Sequence, residues 1–378
     1  MADFSAVAKH IDEVILKQKH VPCFEIAVMQ DHRLVYRYLA GYKDYDNTVP
    51  LTEDTLYHLY SCTKVVTAAV GMRLVEDGRL KLDEPVATYL PAYAKAFVLR
   101  DGKPTPPART MTVRHLFTMT AGLNYDLHHE ATLAYLNEHG DTAGTVGLAN
   151  TFIERPLDFD PGERFQYSLC HDVLAAVIEV AAGKRFADLV GELVFTPLGM
   201  TDSYFHLTEA IRPRLAAKYQ AFPGGKIVPV DNINDMVLTP HYDSGGAGII
   251  SSVNDYLKFA DLLACGGVAE NGYRLLKPET VKLLATEQLS DFAVQGDFSC
   301  AAGPGYGYAL GVRTRTSTEG GKSPLGEFGW DGACGAYLMA DPVNRLSIVM
   351  GMHVRSWPNC VAGEHAAVRD LVYKALGL

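Results

Sequence analysis

The chain has 378 residues, of which 48% are hydrophobic and 21% are charged, and its formal net charge at pH 7 is −10. This length is enough for one large domain or two, with an extensive buried core. The negative charge argues against a nucleic acid or an anionic membrane as a partner, because both bind basic surfaces. The sequence has no apolar run long enough to cross a membrane. Composition says nothing about the oligomeric state.

The first residues and the cysteines both bear on where the protein is located in the cell. Residues 1–16 predict an amphipathic helix with internal charges, not a secretion signal, which has an apolar core and a small-residue cleavage site. The seven cysteines are an odd number without regular spacing, which is typical of reduced thiols. We therefore expect a cytoplasmic protein, and a processed secreted form that has lost its signal stays open. Neither cysteines nor histidines follow a zinc-binding pattern, so no metal is expected.

In chain order, the hydrophobic pattern first predicts a hairpin of two strands, residues 23–29 and 34–41, joined by a polar link. A helix that begins near Ser61 follows. Helical patterns then dominate the middle of the chain, separated by loops rich in Pro and Gly, at 112–120, 172–182, 186–195 and 253–264. Strand patterns return at 308–313, 335–340 and 346–352, and a closing helix covers 362–376.

This order of elements predicts the fold class. Strands at both ends of the chain, with helices between them, indicate one antiparallel sheet that is built from the two termini and covered by the end helices. We therefore expect an α+β protein with a discontinuous sheet domain, residues 1–82 and 300–378, and a mostly helical domain, residues 83–299. Clefts between such domains are common binding sites, and the helix that begins near Ser61 is expected at the junction.

Ser61 and Lys64 are three residues apart at the start of this helix. They lie on one helical face, with their Cβ atoms about 5–6 Å apart. An amine within reach of a hydroxyl is what a serine needs to act as a nucleophile. The pattern is common by chance, and an N-cap serine followed by a solvated lysine is the simpler interpretation. Three further segments bear on the choice: Tyr167 in a loop before a helix, the glycine-rich stretch 244–252, and the stretch 329–335.

Taken together, these segments resemble the serine β-lactamase and penicillin-binding-protein superfamily, on its class C branch, and most of all the family VIII carboxylesterases. Ser61-Cys-Thr-Lys64 is similar to the Ser-x-x-Lys motif, Tyr167-Ser-Leu169 to the Tyr-x-Asn motif, and Trp330-Asp-Gly332 stands where β-lactamases carry Lys-Thr-Gly. Family-like segments also occur at 112–123 and 245–252, so the resemblance covers nearly the whole chain. It implies a β-lactamase/transpeptidase-like fold.

The resemblance also implies the roles of the site residues. Ser61 is expected to attack an acyl carbonyl and to hold the acyl group as an ester, without a cofactor. Lys64 and Tyr167 are expected to share the proton transfers, and which of them is the general base stays open. The backbone N–H groups of Ser61 and Ala333 are expected to form the oxyanion hole, with Ala333 on the strand after Gly332.

Two departures from the superfamily pattern bear on the substrate. Leu169 replaces an Asn, which removes an amide for an acylamino side chain, and Trp330 replaces a Lys, which removes a cation for a substrate carboxylate. Leu169, Trp330, Asp331 and Gly332 are expected to contact the substrate. The changes favour a carboxylesterase acting on small or medium uncharged esters.

Other activities share the same acyl-enzyme. A β-lactamase, a D,D-peptidase or a D-aminopeptidase would use amides, and an acyltransferase would pass the acyl group to an alcohol or amine. A binding protein that keeps the fold without catalysis is a further alternative, against which the intact Ser, Lys and Tyr set argues. Because no Gly-x-Ser-x-Gly segment occurs, an α/β-hydrolase is not expected.

Overall fold

The computed structural model describes residues 2–289, 303–357 and 360–378 of the chain. The α-helices in these ranges are α1 (Ser5–His10), α2 (Thr63–Glu76), α3 (Val113–Phe117), α4 (Glu130–His139), α5 (Thr145–Thr151), α6 (Cys170–Ala182), α7 (Phe186–Val190), α8 (Val253–Ala264), α9 (Pro278–Leu284) and α10 (Ala366–Leu376). Turns of π-helix follow α1 and α7 at Ile11–Gln18 and Gly191–Phe195, and precede α10 at Cys360–His365.

The strands in the same ranges are β1 (Cys23–Gln30), β2 (Arg33–Gly41), β3 (Leu56–His58), β4 (Val98–Arg100), β5 (Lys103–Thr105), β6 (Ser203–Tyr204), β7 (Tyr219–Ala221), β8 (Ile227–Pro229), β9 (Ile250–Ser252), β10 (Tyr306–Tyr308), β11 (Arg313–Arg315), β12 (Phe328–Asp331), β13 (Tyr337–Asp341), β14 (Leu346–Gly351) and β15 (Val354–Arg355). Every helix within the described ranges is too short or too polar to cross a membrane.

A seven-stranded sheet organises the fold, in the order β10-β11-β12-β13-β14-β1-β2, and all its strand pairs are antiparallel. The two ends of the chain meet where β1 pairs with β14, with Ile26 opposite Met350. The β1–β2 hairpin turns at Asp31 and His32, whose φ angles are 51° and 64°, as a two-residue turn of type I′ requires. The predicted α+β class, with an antiparallel sheet drawn from both termini, is confirmed.

Both faces of the sheet are covered. Phe24 and Ile26 of β1 share an apolar cluster with Val7 of α1 and Val368 of α10. Ala27 points to the opposite face, as the alternation of a strand requires, and belongs to the larger cluster that includes Leu257 of α8. This double burial explains why β1 is nearly continuous in apolar residues.

The larger cluster continues into the helical part of the chain, which is arranged around α6. Helices α2, α3 and α5 pack against α6, and its residues from Cys170 to Ile178 are all buried. Helix α8 instead packs on β1, β13 and β14. The segment predicted as the helical domain therefore also supplies a helix to the sheet, and the predicted boundary between residues 299 and 300 lies outside the described residues.

A three-stranded sheet of order β3-β9-β6 lies next to the serine. Leu56 of β3 is opposite Ser252 of β9, and His58 is opposite Ile250. The chain that enters Ser61 is thereby held beside the glycine-rich stretch, although about two hundred residues separate the two in sequence.

The structure differs from the predicted elements at two places near the C-terminal end of the chain. The single strand expected at 308–313 is broken between β10 and β11 by a turn in which Gly311 has a φ of 88°. The sequence analysis predicted no strand for β12, although the stretch 329–335 begins inside it and β12 lies within the sheet. Gly329 interrupts the hydrophobic pattern by which a strand is recognised in the sequence. A Cβ on Gly329 would lie 1.9 Å from the carbonyl oxygen of Leu338 on β13, so this position cannot carry a side chain.

Glu25 on β1 generates a prediction about stability. Burial raises the pKa of its carboxyl to about 8, although a hydrogen bond from the Tyr57 hydroxyl, at 3.1 Å, lowers it in part. In the unfolded chain the group ionises near its ordinary pKa of about 4.3. The folded state therefore loses stability as the pH rises between these two values, because ionisation then favours the unfolded chain.

We expect Glu25→Gln, which stays neutral, to increase the free energy of unfolding at about pH 8 by on the order of 2 kcal/mol or more and to change it little at about pH 4. Denaturant unfolding of both proteins at the two pH values measures this. An equal difference at both would contradict the assigned pKa.

Candidate active site

Ser61 lies where β3 runs into α2. The chain passes through a 3₁₀ turn at Tyr60–Cys62, and α2 begins only at Thr63. Tyr60 has a φ of 45°, a left-handed conformation that is rare for a bulky residue and is often found at functional sites. Ser61 is partly exposed and precedes the helix, whose free N–H groups and dipole favour negative charge.

Lys64 lies one turn further on and is fully buried. Its Nζ donates hydrogen bonds to Ser61 Oγ at 3.1 Å, to the Tyr125 hydroxyl at 3.0 Å and to the carbonyl oxygen of Gly246 at 2.8 Å. These three acceptors use all three hydrogens of an ammonium group. The Nζ also lies 4.7 Å from the centre of the Tyr167 ring, within the range of a cation–π interaction.

The surroundings keep Lys64 protonated. Burial alone lowers the pKa of a lysine, but the oxygens of Tyr125 and Tyr167 and the carboxylate of Asp172 outweigh it and raise the pKa of Lys64 above its ordinary value. A protonated amine has no lone pair. In this state Lys64 donates a hydrogen bond to Ser61 Oγ.

Tyr125 is a site residue that the sequence interpretation missed. It lies two residues after the family-like segment 112–123, and this position is the one signal by which it could have been found. Burial raises the pKa of Tyr125 above its ordinary value, although the Lys64 ammonium partly lowers it. The Tyr125 phenol therefore stays protonated near neutral pH, and its ring stacks on that of Tyr167 with 5.6 Å between their centres.

Tyr167 lies in the loop before α6, as expected, and its hydroxyl has a different partner from Lys64. Trp330 Nε1 donates a hydrogen bond to the Tyr167 hydroxyl at 3.1 Å. The two rings also stack, with 5.6 Å between their centres and an angle of 21° between their planes. With the indole N–H as one donor, the phenol oxygen keeps a second lone pair with which it can accept another hydrogen bond.

Two residues that were expected to contact the substrate are buried instead. Trp330 is 4% exposed and lies behind Tyr167, packed also against Tyr308 with their rings edge to face. Leu169 is 3% exposed and packs in the core cluster of the helical region. Their burial argues against direct contact with a substrate, and the predicted contact stays a prediction for these two side chains.

Asp331 also corrects an expectation of substrate contact. Successive residues of a strand point to opposite faces, so Asp331 points away from Trp330 and Tyr167. Its carboxylate accepts hydrogen bonds from Arg313 and from His365 Nδ1, the latter at 2.8 Å, and all three side chains are buried. The group belongs to an ion-pair cluster under α10.

Gly332 and Ala333 lie at the end of β12 nearest to the serine. A Cβ on Gly332 would lie 2.3 Å from the carbonyl oxygen of Leu59, so a glycine is needed for β12 to approach the segment before Ser61. Ala333 is exposed and belongs to a turn, not to the following strand as expected, because the hydrogen bond from Gly335 N to the Gly332 carbonyl (2.8 Å) reverses the chain there.

The carbonyl that binds Lys64 is positioned by Asp172 at the start of α6. The Asp172 carboxylate accepts hydrogen bonds from the hydroxyls of Tyr242 at 2.8 Å and Ser244 at 2.6 Å and from the Gly246 N–H at 3.3 Å. A Cβ on Gly246 would lie 2.4 Å from the same carboxylate. The glycine-rich stretch thus holds the Gly246 carbonyl against Lys64, which its sequence alone did not indicate.

Potential metal ligands occur together away from Ser61. In the part of the chain that the structure describes, His32, Asp261 and Cys265 offer ligand atoms that all lie within 4.8 Å of one another. His32 Nδ1 and Asp261 Oδ2 are 2.7 Å apart, a hydrogen bond that ties the β1–β2 turn to α8. This contact accounts for the grouping.

Comparisons with known proteins agree with this geometry. The sequence model of the Beta-lactamase family matches residues 5–372. Esterase EstB from Burkholderia gladioli is 30% identical over 398 aligned positions, which cover 98% of this chain and 96% of that protein. Acyltransferase calJ from Penicillium decumbens is 26% identical over 332 positions, which cover 84% of this chain and 74% of that protein.

Solved structures give the same fold. EstCE1, described as a hydrolase with promiscuous acyltransferase activity, superposes with a TM-score of 0.78 at 24% identity, over 98% of this chain and 99% of that one. The family match and this likeness confirm the β-lactamase-like fold and the resemblance to serine β-lactamases and esterases.

Proposed function

This chain belongs to the Beta-lactamase family, and we propose that it is a carboxylesterase that forms an acyl-enzyme on Ser61. Its similarity to an esterase and an acyltransferase of the superfamily supports the broader class of serine hydrolases and acyltransferases. The observation that carries the proposal is the hydrogen bond from the buried Lys64 ammonium to the Ser61 hydroxyl. A buried cation at this oxygen stabilises the alkoxide that attacks an acyl carbonyl.

The proton of Ser61 passes to Tyr167 in this proposal. Lys64 is protonated and Tyr125 stays protonated, so Tyr167 is the remaining phenol beside the cation. Tyr167 reacts as the phenolate in this step: as Ser61 Oγ bonds to the acyl carbon, its proton moves to the phenolate oxygen and leaves a neutral phenol. The same proton then goes to the leaving alcohol. A water molecule attacks the acyl-enzyme by the reverse sequence, again with Tyr167 as the base.

The oxyanion hole is assigned to the backbone N–H groups of Ser61 and Ala333. Ser61 precedes α2, where helix N–H groups favour negative charge. Ala333 lies in the turn that Gly332 allows close to the serine segment. Removing one such donor typically costs about 3–4 kcal/mol of transition-state stabilisation.

Uncharged esters are the proposed substrates. Trp330 and Leu169 stand where the superfamily has a cation and an amide, so a substrate carboxylate or acylamino group loses two partners. Esters also need less help at the leaving group, because an alcohol departs more readily than an amine. The similarity to esterase EstB supports the same choice.

Transfer of the acyl group to an alcohol is a second candidate, favoured by the similarity to acyltransferase calJ. The acyl-enzyme is common to both reactions, and the acceptor alone differs.

A panel of p-nitrophenyl acetate, nitrocefin and a D-Ala-D-Ala peptide, each with and without a primary alcohol, separates the candidates. We expect the ester to have the largest kcat/KM by about a hundredfold or more, consistent with a difference of about 3 kcal/mol. Faster cleavage of nitrocefin or the peptide would contradict the ester assignment, and an ester product with the alcohol would favour transfer.

The two tyrosines test the proton path. Tyr167→Phe removes the proposed base and is expected to lower kcat by about a hundredfold or more. Tyr125→Phe removes one hydrogen bond from Lys64 and is expected to lower kcat only about tenfold. Tyr38→Phe, on the edge strand β2 with its hydroxyl bonded to Asp12, is the control and should leave kcat unchanged. If Tyr125→Phe had the larger effect, Tyr125 would be the base.

The two tryptophans of the chain test the role assigned to Trp330. Trp330→Phe keeps an aromatic ring beside Tyr167 and removes the Nε1–H donor, so kcat should fall about tenfold with little change in KM. Trp357→Phe, in the cluster under the terminal helices, is the matched control. A rise in KM with an unchanged kcat would instead indicate that Trp330 binds the substrate.

A further inference from the structure

A second group of reactive side chains lies on the far face of β12, under the C-terminal helix. His365 Nδ1 is 2.8 Å from Asp331 Oδ1, and His365 Nε2 is 3.3 Å from Cys360 Sγ. The π-helical turn at Cys360–His365 explains this arrangement. In a π-helix, residues five apart lie one turn apart, so the thiol is placed directly beside the imidazole.

The partners of His365 show that both of its ring nitrogens carry hydrogen. Nδ1 faces a carboxylate oxygen, and Nε2 also faces the carbonyl oxygen of Gly335 at 3.1 Å. Both oxygens are acceptors only. Burial lowers the pKa of His365, but Cys360 and Asp331 outweigh it and raise the pKa to about 10. Cys360 Sγ therefore faces an N–H of an imidazolium.

The charges around the thiol are unbalanced without it. Asp331 carries one negative charge and faces two buried cations, Arg313 and His365. Next to them, two further cations, Arg315 and Arg369, are matched in number by two carboxylates, the buried Glu327 and Asp370, the latter 2.8 Å from Arg369, so one positive charge is left over around His365. A buried cation without a counter-charge is costly, and a thiolate at Cys360 supplies the missing negative charge. The Met352 sulfur, 3.9 Å from Cys360 Sγ, is uncharged.

The other described cysteines lack this environment. Cys360 is 8% exposed, the largest value among the six described cysteines, and Cys265 follows at 5%. The partner of Cys265 is the carboxyl group of Asp261, and burial together with this carboxylate raises the pKa of the Cys265 thiol to about 12. Cys265 is thus a natural control with similar access and the opposite electrostatic partner.

We propose that Cys360 is a nucleophilic thiolate, paired with the imidazolium of His365 and oriented through Asp331, and that it is a modification site for small uncharged electrophiles. Thiolates next to a histidinium are the reactive form of cysteine. With iodoacetamide, the sulfur lone pair forms the new S–C bond, the C–I bond breaks and iodide leaves. No proton is released, because the thiolate carries none and His365 keeps its own. The site is separate from Ser61 and does not depend on the ester reaction.

Competitive alkylation tests the proposal. The full chain carrying Ser61→Ala is treated with limiting iodoacetamide at about pH 7, and the rate of labelling at each cysteine is measured by peptide mass spectrometry. We expect Cys360 to react at least about tenfold faster than Cys265. Equal or slower labelling of Cys360 would overturn the proposal, and this comparison needs no further variant.

His365→Gln tests the electrostatic origin of the reactivity. It keeps an amide near the sulfur but removes the positive charge, so labelling of Cys360 should slow about tenfold while that of Cys265 is unchanged. An unchanged rate at Cys360 would overturn the proposal. If Cys265 reacts faster in this variant, the fold has loosened, and Asp331→Asn, which leaves the imidazole in place, is then measured in the same way. The proposal requires slower labelling of Cys360 there, and an undiminished rate would overturn it.

Discussion

The buried ammonium group of Lys64 is the constraint on which the site depends. Without solvent it needs three acceptors, and these come from three separate parts of the chain: Ser61, Tyr125 and Gly246. An unpaired buried charge costs several kcal/mol. The ammonium group therefore stabilises the arrangement of these three segments, because moving any of them away would leave it without an acceptor. The hydroxyl of the proposed nucleophile is one of the three, and its position is therefore set by the core of the protein and not by a mobile loop.

Strand β12 connects this site with the rest of the sheet. Trp330 reaches the Tyr167 hydroxyl on one face, and Asp331 reaches Arg313 and His365 on the other. The turn that follows contains Ala333 on the side of the serine and offers the Gly335 carbonyl to His365. The same short segment thus supports the proposed oxyanion hole and the ion-pair cluster under α10. We therefore expect a substitution on one face of β12 to change the geometry of the contacts on the other face.

Local patterns in the sequence are enough for part of this arrangement. The β1–β2 hairpin follows from two hydrophobic runs joined by the short polar link 30–33, and the spacing of Ser61 and Lys64 places them on one side of a helix start. Tyr125 could not be found in this way, because it lies 61 residues from Lys64 and carries no motif of its own. The orientation of the Trp330 side chain could not be predicted from the sequence either. Gly329 interrupts the strand pattern of β12, and the indole faces Tyr167, which is distant in sequence. Once β12 is known to be a strand, its alternation explains the burial of Asp331.

The central claim is that an ester substrate acylates Ser61. It is tested most directly by mixing the protein with p-nitrophenyl acetate, quenching within the first turnover and locating the acetyl group by peptide mass spectrometry. The account predicts a burst of p-nitrophenol and one acetyl group on the peptide that contains Ser61, both of which are lost in Ser61→Ala. Turnover of the ester by Ser61→Ala at the wild-type rate, or an acetyl group found only on another residue, would contradict it.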